Sequence, residues 1–406
     1  MSFSPRAVLS VDLASGLHDV KVPEPYAQAQ VLIRYRGAPL ANVCLKVLRG
    51  RIRGVDIWAV AWEENRTLLQ ELALNDALGS EIAPPQCDTL PDATIVVCTR
   101  NRTEDLRRCL DSIVPQLCRE LKALVVDNNP SDDQTRRLVA DYPVSYYREN
   151  RQGLNWARAR AVTLASTELL LFTDDDVVLD RDWAIQMRTP FLNQHVAAVT
   201  GAVVPFEFEY PSQELYEQYG GFDRGFRKEE FNLRTTVAVG AGRAGAGASM
   251  AIRRNLAVSM GLFEHDLDCG TPSYSGGDFY ALYQLIRAGY NVVYWPRALA
   301  WHRHRQTVAD LENMLYGYGV GVYSVLLRCL LEHHDFDALL LAVFWFFQYH
   351  VSEFLRTVLR RPGARPLELI WAEIRGVFQA PVAYLHLRRR ERQFGPLPPP
   401  WPGEAQ

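Results

Sequence analysis

The sequence predicts an α/β protein built on a mostly parallel sheet flanked by helices, with a small N-terminal α+β module before it and a helical C-terminal region after it. Three observations predict this. From Ala93 onward short apolar runs alternate with segments of helix length, three of those runs end in polar clusters, and beyond residue 310 the chain turns helical and unusually apolar. At 406 residues, with 48% apolar and 22% charged side chains, the chain is long enough for two or three domains with a sizeable core. That composition excludes wholesale disorder, a collagen-like repeat and a disulfide scaffold.

Residues 1–80 read as the small module. Segments 31–36 and 41–47 flank Gly37-Ala38-Pro39 as a β-hairpin, and 56–78 carries helical spacing in Trp58, Trp62, Leu68, Leu69, Leu72 and Leu74. Nothing there is arranged as a reactive site. Residues 81–92 form a linker, interrupted by Pro84, Pro85 and Pro91. Across 93–310 the apolar runs 94–98, 123–126, 144–147, 168–172 and 196–199 predict strands of βαβα winding. Three of them end in Thr99-Arg100-Asn101-Arg102, Asp127-Asn128-Asn129 and Thr173-Asp174-Asp175-Asp176. Open α/β sheets bind ligands beyond the carboxyl ends of their strands, so these clusters should line one crevice. Residues 311–390 read as helical, with 313–327 free of charge, and 391–406, rich in Pro and Gly, as a disordered tail.

Charge is nearly balanced, 44 basic against 47 acidic side chains for a net of −3, so no global positive field exists to hold a polynucleotide and no nucleic-acid partner is expected. Seven cysteines, odd in number and without C-x-x-C or zinc-finger spacing, suit reduced thiols in the cytoplasm. The first twenty residues carry no signal-like apolar run. The longest purely apolar run, 338–347, has ten residues and would cover about 15 Å of roughly 30 Å of bilayer hydrocarbon, so a spanning helix is not expected.

Asp174-Asp175-Asp176 is the sharpest chemical signal. Adjacent carboxylates at a strand end repel one another, and a divalent cation with oxygen ligands offsets that; Asp174 and Asp176, on one face of an extended segment, can share an ion. Asp127 at its strand end suits a base N–H or a ribose, and equally a turn and helix cap. Gly153 and Arg158 open a helix whose N–H groups suit a diphosphate, or an ordinary helix start. Asp278, delivered by Gly276-Gly277, reads as a general base or as a plain N-cap. Trp301-His302-Arg303-His304-Arg305 offers imidazole and cations, or a basic surface turn. Residues 205–231, with Phe206, Phe208, Tyr210, Tyr216, Tyr219 and Phe222, read as an acceptor wall or as core. Gly240, Gly242 and Gly245 match G-x-G-x-x-G with Glu264 beyond, but they precede a strand-like run instead of opening a helix after the first strand, which disfavours a dinucleotide site.

In order, these phrases resemble a family 2 glycosyltransferase of the GT-A fold over residues 92–310. They are 97–102, 125–128, 153–160, 172–176, 247–250, 276–278 and 301–304. The resemblance implies an inverting, cytoplasmic enzyme with a nucleotide-sugar donor, a glycan or lipid-linked hydroxyl acceptor, and Mg²⁺ or Mn²⁺. By it Thr99, Arg100, Asn101, Asp127, Asn128, Gly153, Arg158, Asp174, Asp175 and Ser249 serve the donor. Asp174, Asp176 and His302 hold the metal, and Asp278 is the base. The family often has Glu-Asp at Gly277-Asp278 and Asn at Ser249. Gln284 to Arg287 is followed by Ala288, so the Q-x-x-R-W pattern of processive synthases is not met and single-sugar transfer is expected. The rival readings are a sugar-nucleotide-binding protein without transfer and a nucleotidyltransferase on a related fold. Apolar stretches beside Arg356, Arg360, Arg361, Arg365, Arg375, Arg388, Arg389, Arg390 and Arg392 predict peripheral contact with an anionic membrane at its inner face.

Overall fold

The computed structural model describes residues 3–79, 86–263, 267–361 and 363–394. Five strands and a helix form the N-terminal module: β1 (Ala7–Asp12), β2 (Val20–Lys21), β3 (Gln28–Tyr35), β4 (Ala38–Lys46), β5 (Arg51–Ile52) and α1 (Gly54–Ala77). The hairpin from β3 to β4 turns on Arg36 and Gly37, whose φ values of 47° and 77° are those of a type I′ turn. Both N–H groups donate to the Asp12 carboxylate, at 2.9 and 2.7 Å. Helix α1 buries Ile57, Ala61, Leu69 and Leu72 and leaves Trp58 and Trp62 exposed, so the expected stripe is shifted. The cause is Asn65, which leaves helical geometry (φ −140°, ψ 37°) and donates its side-chain amide to the Leu40 carbonyl, resetting the helical phase.

The central sheet alternates with helices as the apolar runs predict. In chain order these are β6 (Ala93–Thr99), α2 (Thr103–Ile113), β7 (Leu121–Asn128), α3 (Gln134–Val139), β8 (Ser145–Glu149), α4 (Leu154–Leu164), β9 (Leu169–Asp174), β10 (Val177–Leu179), α5 (Trp183–Arg188) and β11 (Val196–Pro205). Then come α6 (Pro211–Gln218), β12 (Glu229–Phe231), β13 (Ser249–Arg253), α7 (Arg254–Met260), α8 (Gly277–Arg287) and β14 (Asn291–His302). The spatial order is β10-β14-β11-β13-β9-β6-β7-β8, with β12 also on β14. Strands β8, β7, β6 and β9 are parallel, as are β11 and β14, while β13 runs antiparallel between β9 and β11. Every residue of β6 is buried because both faces are covered: Val96 and Cys98 pack under α4, Ile95 and Val97 under α2. The registers Thr99 to Asp127 and Cys98 to Asp174 bring three polar strand ends level.

Two differences from the sequence reading concern cysteine and membrane length. Cys87 and Cys118 are joined as a disulfide, where only reduced thiols were expected. The C-terminal region consists of α9 (Val308–His333), α10 (Phe336–Trp345), a π-helical turn (Phe346–Val351), α11 (Ser352–Val358) and α12 (Leu367–Phe394). The π turn fuses α10 and α11 into a 23-residue helical run, about 34 Å long. That run and α9 are both long and apolar enough to cross a membrane by length and composition; 56% of the apolar window of α9 is buried in the protein, against 11% for the fused run. Counting only consecutive apolar side chains missed this, because a helix continues through Gln348, His350 and Glu353. Helix α12 runs past the expected start of the tail at 391; residues 395–406 and the linker residues 80–85 lie outside the described residues.

Helix α9 is held on two sides by glycines. Gly319 and Gly376 put α9 and α12 in backbone contact: a Cβ on Gly376 would overlap the Tyr316 carbonyl, and one on Gly319 the Glu373 carbonyl. Gly317 and Gly321 face Tyr274 and Ser275, the turn leading into α8. Gly376→Leu should therefore force the helices apart and cost about 1–3 kcal/mol or more. Denaturant unfolding of the full chain checks this; an unchanged midpoint would mean the crossing tolerates a side chain.

Candidate active site

The carboxyl ends of β6, β7 and β9 open into a cleft of about 860 Å³. It is lined by Thr99, Arg100, Arg102, Asn128, Asp174, Asp175, Asp176, Asp278 and His302, with Met314 and Tyr318 of α9 closing another wall. Asp174 ends β9, and Asp175 and Asp176 form the turn into β10. Asp175 accepts from Thr99 Oγ1 at 2.7 Å and from Arg102 Nη1 at 3.1 Å. Arg102 Nη1 also donates to Asp176 at 2.8 Å, and His302 Nε2 stands 3.3 Å from Asp176 Oδ1. Burial and then the charge of Asp176 push the Asp174 carboxyl up to about 6 and that of Asp175 up to about 7. Burial acts on Asp176 as well, but His302 and Arg102 outweigh it and hold this carboxyl well below the usual range.

Asp278 stands in the first turn of α8 after Gly276, whose φ of +99° suits glycine. Its Oδ2 accepts the Gly247 N–H and its Oδ1 the Phe279 N–H, both at 2.7 Å, which fixes the carboxylate at the cleft wall. The glycine before it has a steric reason. A Cβ at Gly277 would overlap Asp268 Oδ2 and stand 2.8 Å from the Asn155 amide.

Arg158 lines the cleft, and its Nη1 donates to Asp268 Oδ2 at 2.6 Å and to Asn155 Oδ1 at 3.3 Å. Asp127 is fully buried, not a cleft-lining residue; Tyr146 donates to its Oδ2 at 2.9 Å, and its Oδ1 has no hydrogen-bond partner among the described residues. Asn128 spends its amide on the Arg151 carbonyl and the Gly153 N–H, at 2.8 and 2.9 Å, and so fixes Gly153, at φ +141°, as the entry to α4. Arg100 is exposed at the rim and donates to the Asn129 carbonyl. Asn101 accepts from Ser131 and does not line the cleft. Ser249 does not reach it either: its hydroxyl is buried in the sheet and accepts from Trp183 Nε1 at 2.9 Å. Of Phe206, Phe208, Tyr210, Tyr216, Tyr219 and Phe222 only Phe222 lines the cleft, and Phe208 and Tyr216 are buried. Residues Ala238–Arg243 form a short 3₁₀ helix, not a strand-to-helix turn, and Glu264 lies outside the described residues.

Sequence reasoning missed Asp268, and it named Arg102 and Arg305 without pairing them to the acidic turn. Asp268, buried at φ +82°, sits in a loop with no motif of its own, so only its partner Arg158 could have pointed to it. Arg305 approaches Asp176 to 3.8 Å from the turn after β14. The buried Arg158–Asp268 pair should show the asymmetry of such pairs. Asp268→Leu alone should cost about 3–5 kcal/mol by stranding the guanidinium, and Arg158→Met with Asp268→Leu should recover much of it. Denaturant melts of the single and double variants test this, and additive losses would rule out the coupling.

Residues 94–255 match Glycosyl transferase family 2. The chain is 28% identical over 242 residues to the pre-mycofactocin glycosyltransferase of Mycobacterium tuberculosis, covering 58% of this chain and 48% of that protein, so it spans about half the length of that relative. It is 23% identical over 295 residues to glycosyltransferase AglE of Haloferax volcanii, covering 70% of this chain and 91% of that one. Among solved structures it is similar to the mannosyltransferase PcManGT of Pyrobaculum calidifontis in complex with GDP-Man and Mn²⁺, at 17% identity and a TM-score of 0.44, covering 78% of this chain and 79% of that one. The match to glycosyl transferase family 2 thus covers residues 94–255, which hold the acidic turn and most of the central sheet.

Proposed function

We propose that this protein transfers a single sugar, with inversion, from a nucleotide-sugar donor to a hydroxyl acceptor, with Asp278 as general base and Mg²⁺ or Mn²⁺ at the acidic turn. The observation that carries this reading is one cleft lined both by a buried acidic strand end and by a fixed carboxylate on a helix start. The residue types fit a divalent cation, and Asp176 and His302 already stand together, whereas Asp174 does not complete a three-ligand group with them as placed. Asp174 and Asp176 offer hard oxygen ligands and His302 an imidazole. The 3.3 Å between His302 Nε2 and Asp176 Oδ1 is close to the roughly 3 Å that separates two ligands at right angles on an ion with bonds of about 2.1 Å. Bound there, the cation would neutralise charge on the leaving diphosphate, a contribution of several kcal/mol.

In this reading the nucleotide lies against the ends of β6 and β7, where Thr99, Arg100 and Asn128 face the cleft and Asp127 keeps an unpartnered oxygen beneath it. Arg102 and Arg305 stand where the diphosphate meets the acidic turn. The acceptor hydroxyl gives its proton to Asp278. Its oxygen then attacks the anomeric carbon from the face opposite the diphosphate, whose C–O bond breaks with inversion. The test is a panel of nucleotide sugars with Mg²⁺ or Mn²⁺, followed for release of nucleoside diphosphate with and without chelator. Release of pyrophosphate from a nucleoside triphosphate would favour a nucleotidyltransferase instead. Asp278→Asn should lower transfer by about 10²- to 10⁴-fold while donor binding by calorimetry persists. Transfer at the wild-type rate would remove Asp278 as the base.

The acceptor reading includes a membrane surface. Phe336, Leu340, Phe344 and Phe347 on α10 and the π turn, with Trp371, Phe378 and Leu385 on α12, are each more than half exposed, a large apolar surface beside Arg356, Arg360 and Arg375. Helix α9 faces the cleft with Met314 and Tyr318 and packs against α10 and α12, so a lipid-linked hydroxyl would reach the cleft along it. The full chain should float with anionic liposomes at low salt, whereas Leu340→Glu combined with Phe344→Glu should leave it in the soluble fraction. Flotation of neither protein would discard the membrane contact.

A further inference from the structure

The loop that leads to Asp278 bends in an unusual way. From Asp268 to Gly276 its backbone enters the left-handed region four times, at Asp268 (φ +82°), Gly270 (+84°), Tyr274 (+62°) and Gly276 (+99°). Glycine accepts such a conformation freely and a bulky aromatic residue does not, so Tyr274 persists there only because its surroundings hold it. Its N–H donates to the Thr271 carbonyl at 3.2 Å, its carbonyl accepts from Cys269 Sγ at 3.3 Å, and the next hydroxyl, that of Ser275, donates to the Gly317 carbonyl at 3.0 Å. The side chain so fixed does not join the core. Its ring lines the cleft and remains 49% exposed, four residues before Asp278. Tyr316 of α9 meets it edge-on, with centroids 5.5 Å apart and planes at 77°, and a Cβ at Gly317 would come within 3.0 Å of its own Cβ. An edge-on pair covers at most one face of either ring, so Tyr274 keeps an aromatic face open to the cleft.

We propose that Tyr274 is the acceptor platform: its ring stacks on a sugar ring of the acceptor, so that the acceptor is a glycoside and one of its hydroxyls reaches Asp278. This rests on the transfer reading above and deepens it by naming the class of acceptor. The C–H bonds on one face of a pyranose carry partial positive charge and the face of an aromatic ring partial negative charge, so the two attract once water leaves both. Between Tyr274 and Asp278 the chain is Ser275, Gly276 and Gly277, so no bulky side chain of the turn separates the ring from the carboxylate. Asn313 and Met314 of α9 line the same cleft and supply an amide for sugar hydroxyls and an apolar contact for C–H groups. Folding alone would favour glycine or asparagine at 274, and a contact with substrate gives the tyrosine its reason.

The test uses the full chain with Mg²⁺ or Mn²⁺ and UDP-glucose, UDP-galactose, UDP-N-acetylglucosamine or GDP-mannose as donor. Methyl and n-octyl glycosides of glucose, galactose and mannose are compared with glycerol, an acceptor without a ring. Wild type should use a glycoside with a higher kcat/KM than glycerol. Tyr274→Asn, which suits the positive φ and removes the ring, should reduce that preference about 10-fold, mainly through KM for the glycoside, and Tyr274→Phe should keep it. An unchanged preference in Tyr274→Asn overturns the proposal, as does a loss that Tyr274→Phe shares. An equal fall on glycoside and glycerol counts as damage to the turn and overturns it too. Wild type that uses glycerol as well as any glycoside, or releases nucleoside diphosphate only to water, overturns the glycoside acceptor and leaves the donor site standing. Release of no nucleoside diphosphate from any of the four donors overturns the transfer reading and this proposal with it.

Discussion

Three carboxylates carried side by side into a buried strand end set the terms for the rest of the cleft. Charges a few ångströms apart in a partly dry site repel far more strongly than in water, so Asp174, Asp175 and Asp176 persist there only because cationic and hydrogen-bonding groups converge on them. Those groups come from separate crossovers. Thr99 and Arg102 arrive at the end of β6, His302 ends β14, and Arg305 follows it. The parallel registers of β6 with β7 and with β9 make this convergence a property of the sheet and not of loop conformation. Apolar packing on both faces of β6 and β9 supplies the rigidity that keeps like charges from relaxing apart.

The C-terminal helices belong to this arrangement. Gly317 and Gly321 let α9 approach the 274–276 turn at backbone distance, and the Ser275 hydroxyl donates to the Gly317 carbonyl at 3.0 Å. The turn so braced is the one that delivers Asp278. On its far side α9 meets α12 through Gly319 and Gly376. A helix pair that looks in sequence like a membrane appendage is thus also the backing of a cleft wall, which is why more than half of the apolar window of α9 is buried while the helix beyond it is not.

Much of the sheet was legible because parallel strands buried on both faces read as continuous apolar runs, and because their polar ends are abrupt. Thr99, Asp174, Asp175, Asp176, His302 and Asp278 do face one cleft. What the sequence did not reveal was which polar groups are already spent. Ser249, Asn101 and Asn128 look the same in a string whether they face a ligand or a neighbouring amide, and here they bond Trp183, Ser131 and the Gly153 loop. Arg158 was placed at the right helix start, but its partner Asp268 lies 110 residues on, a separation that no local pattern encodes. The helical run from α10 to α11 was missed for a different reason: polar residues interrupt its composition without interrupting its hydrogen bonding.

Position 277 shows how such distant residues compensate one another. The resemblance leads one to expect an acidic side chain directly before Asp278, and the chain has glycine. Restoring that side chain is sterically blocked, because the space beside Gly277 already holds the Asp268 carboxylate and the Asn155 amide. A second carboxylate therefore does stand next to Asp278, but it comes from the 267–271 loop, and its charge is met by Arg158, which is itself drawn toward both acids. Burial and the neighbouring Asp278 raise the Asp268 carboxyl, and Arg158 opposes that rise. Glycine at 277, Asp268 and Arg158 thus form one steric and electrostatic unit: a larger residue at 277 would have to displace Asp268, and displacing Asp268 would leave a buried guanidinium free to pair with Asp278.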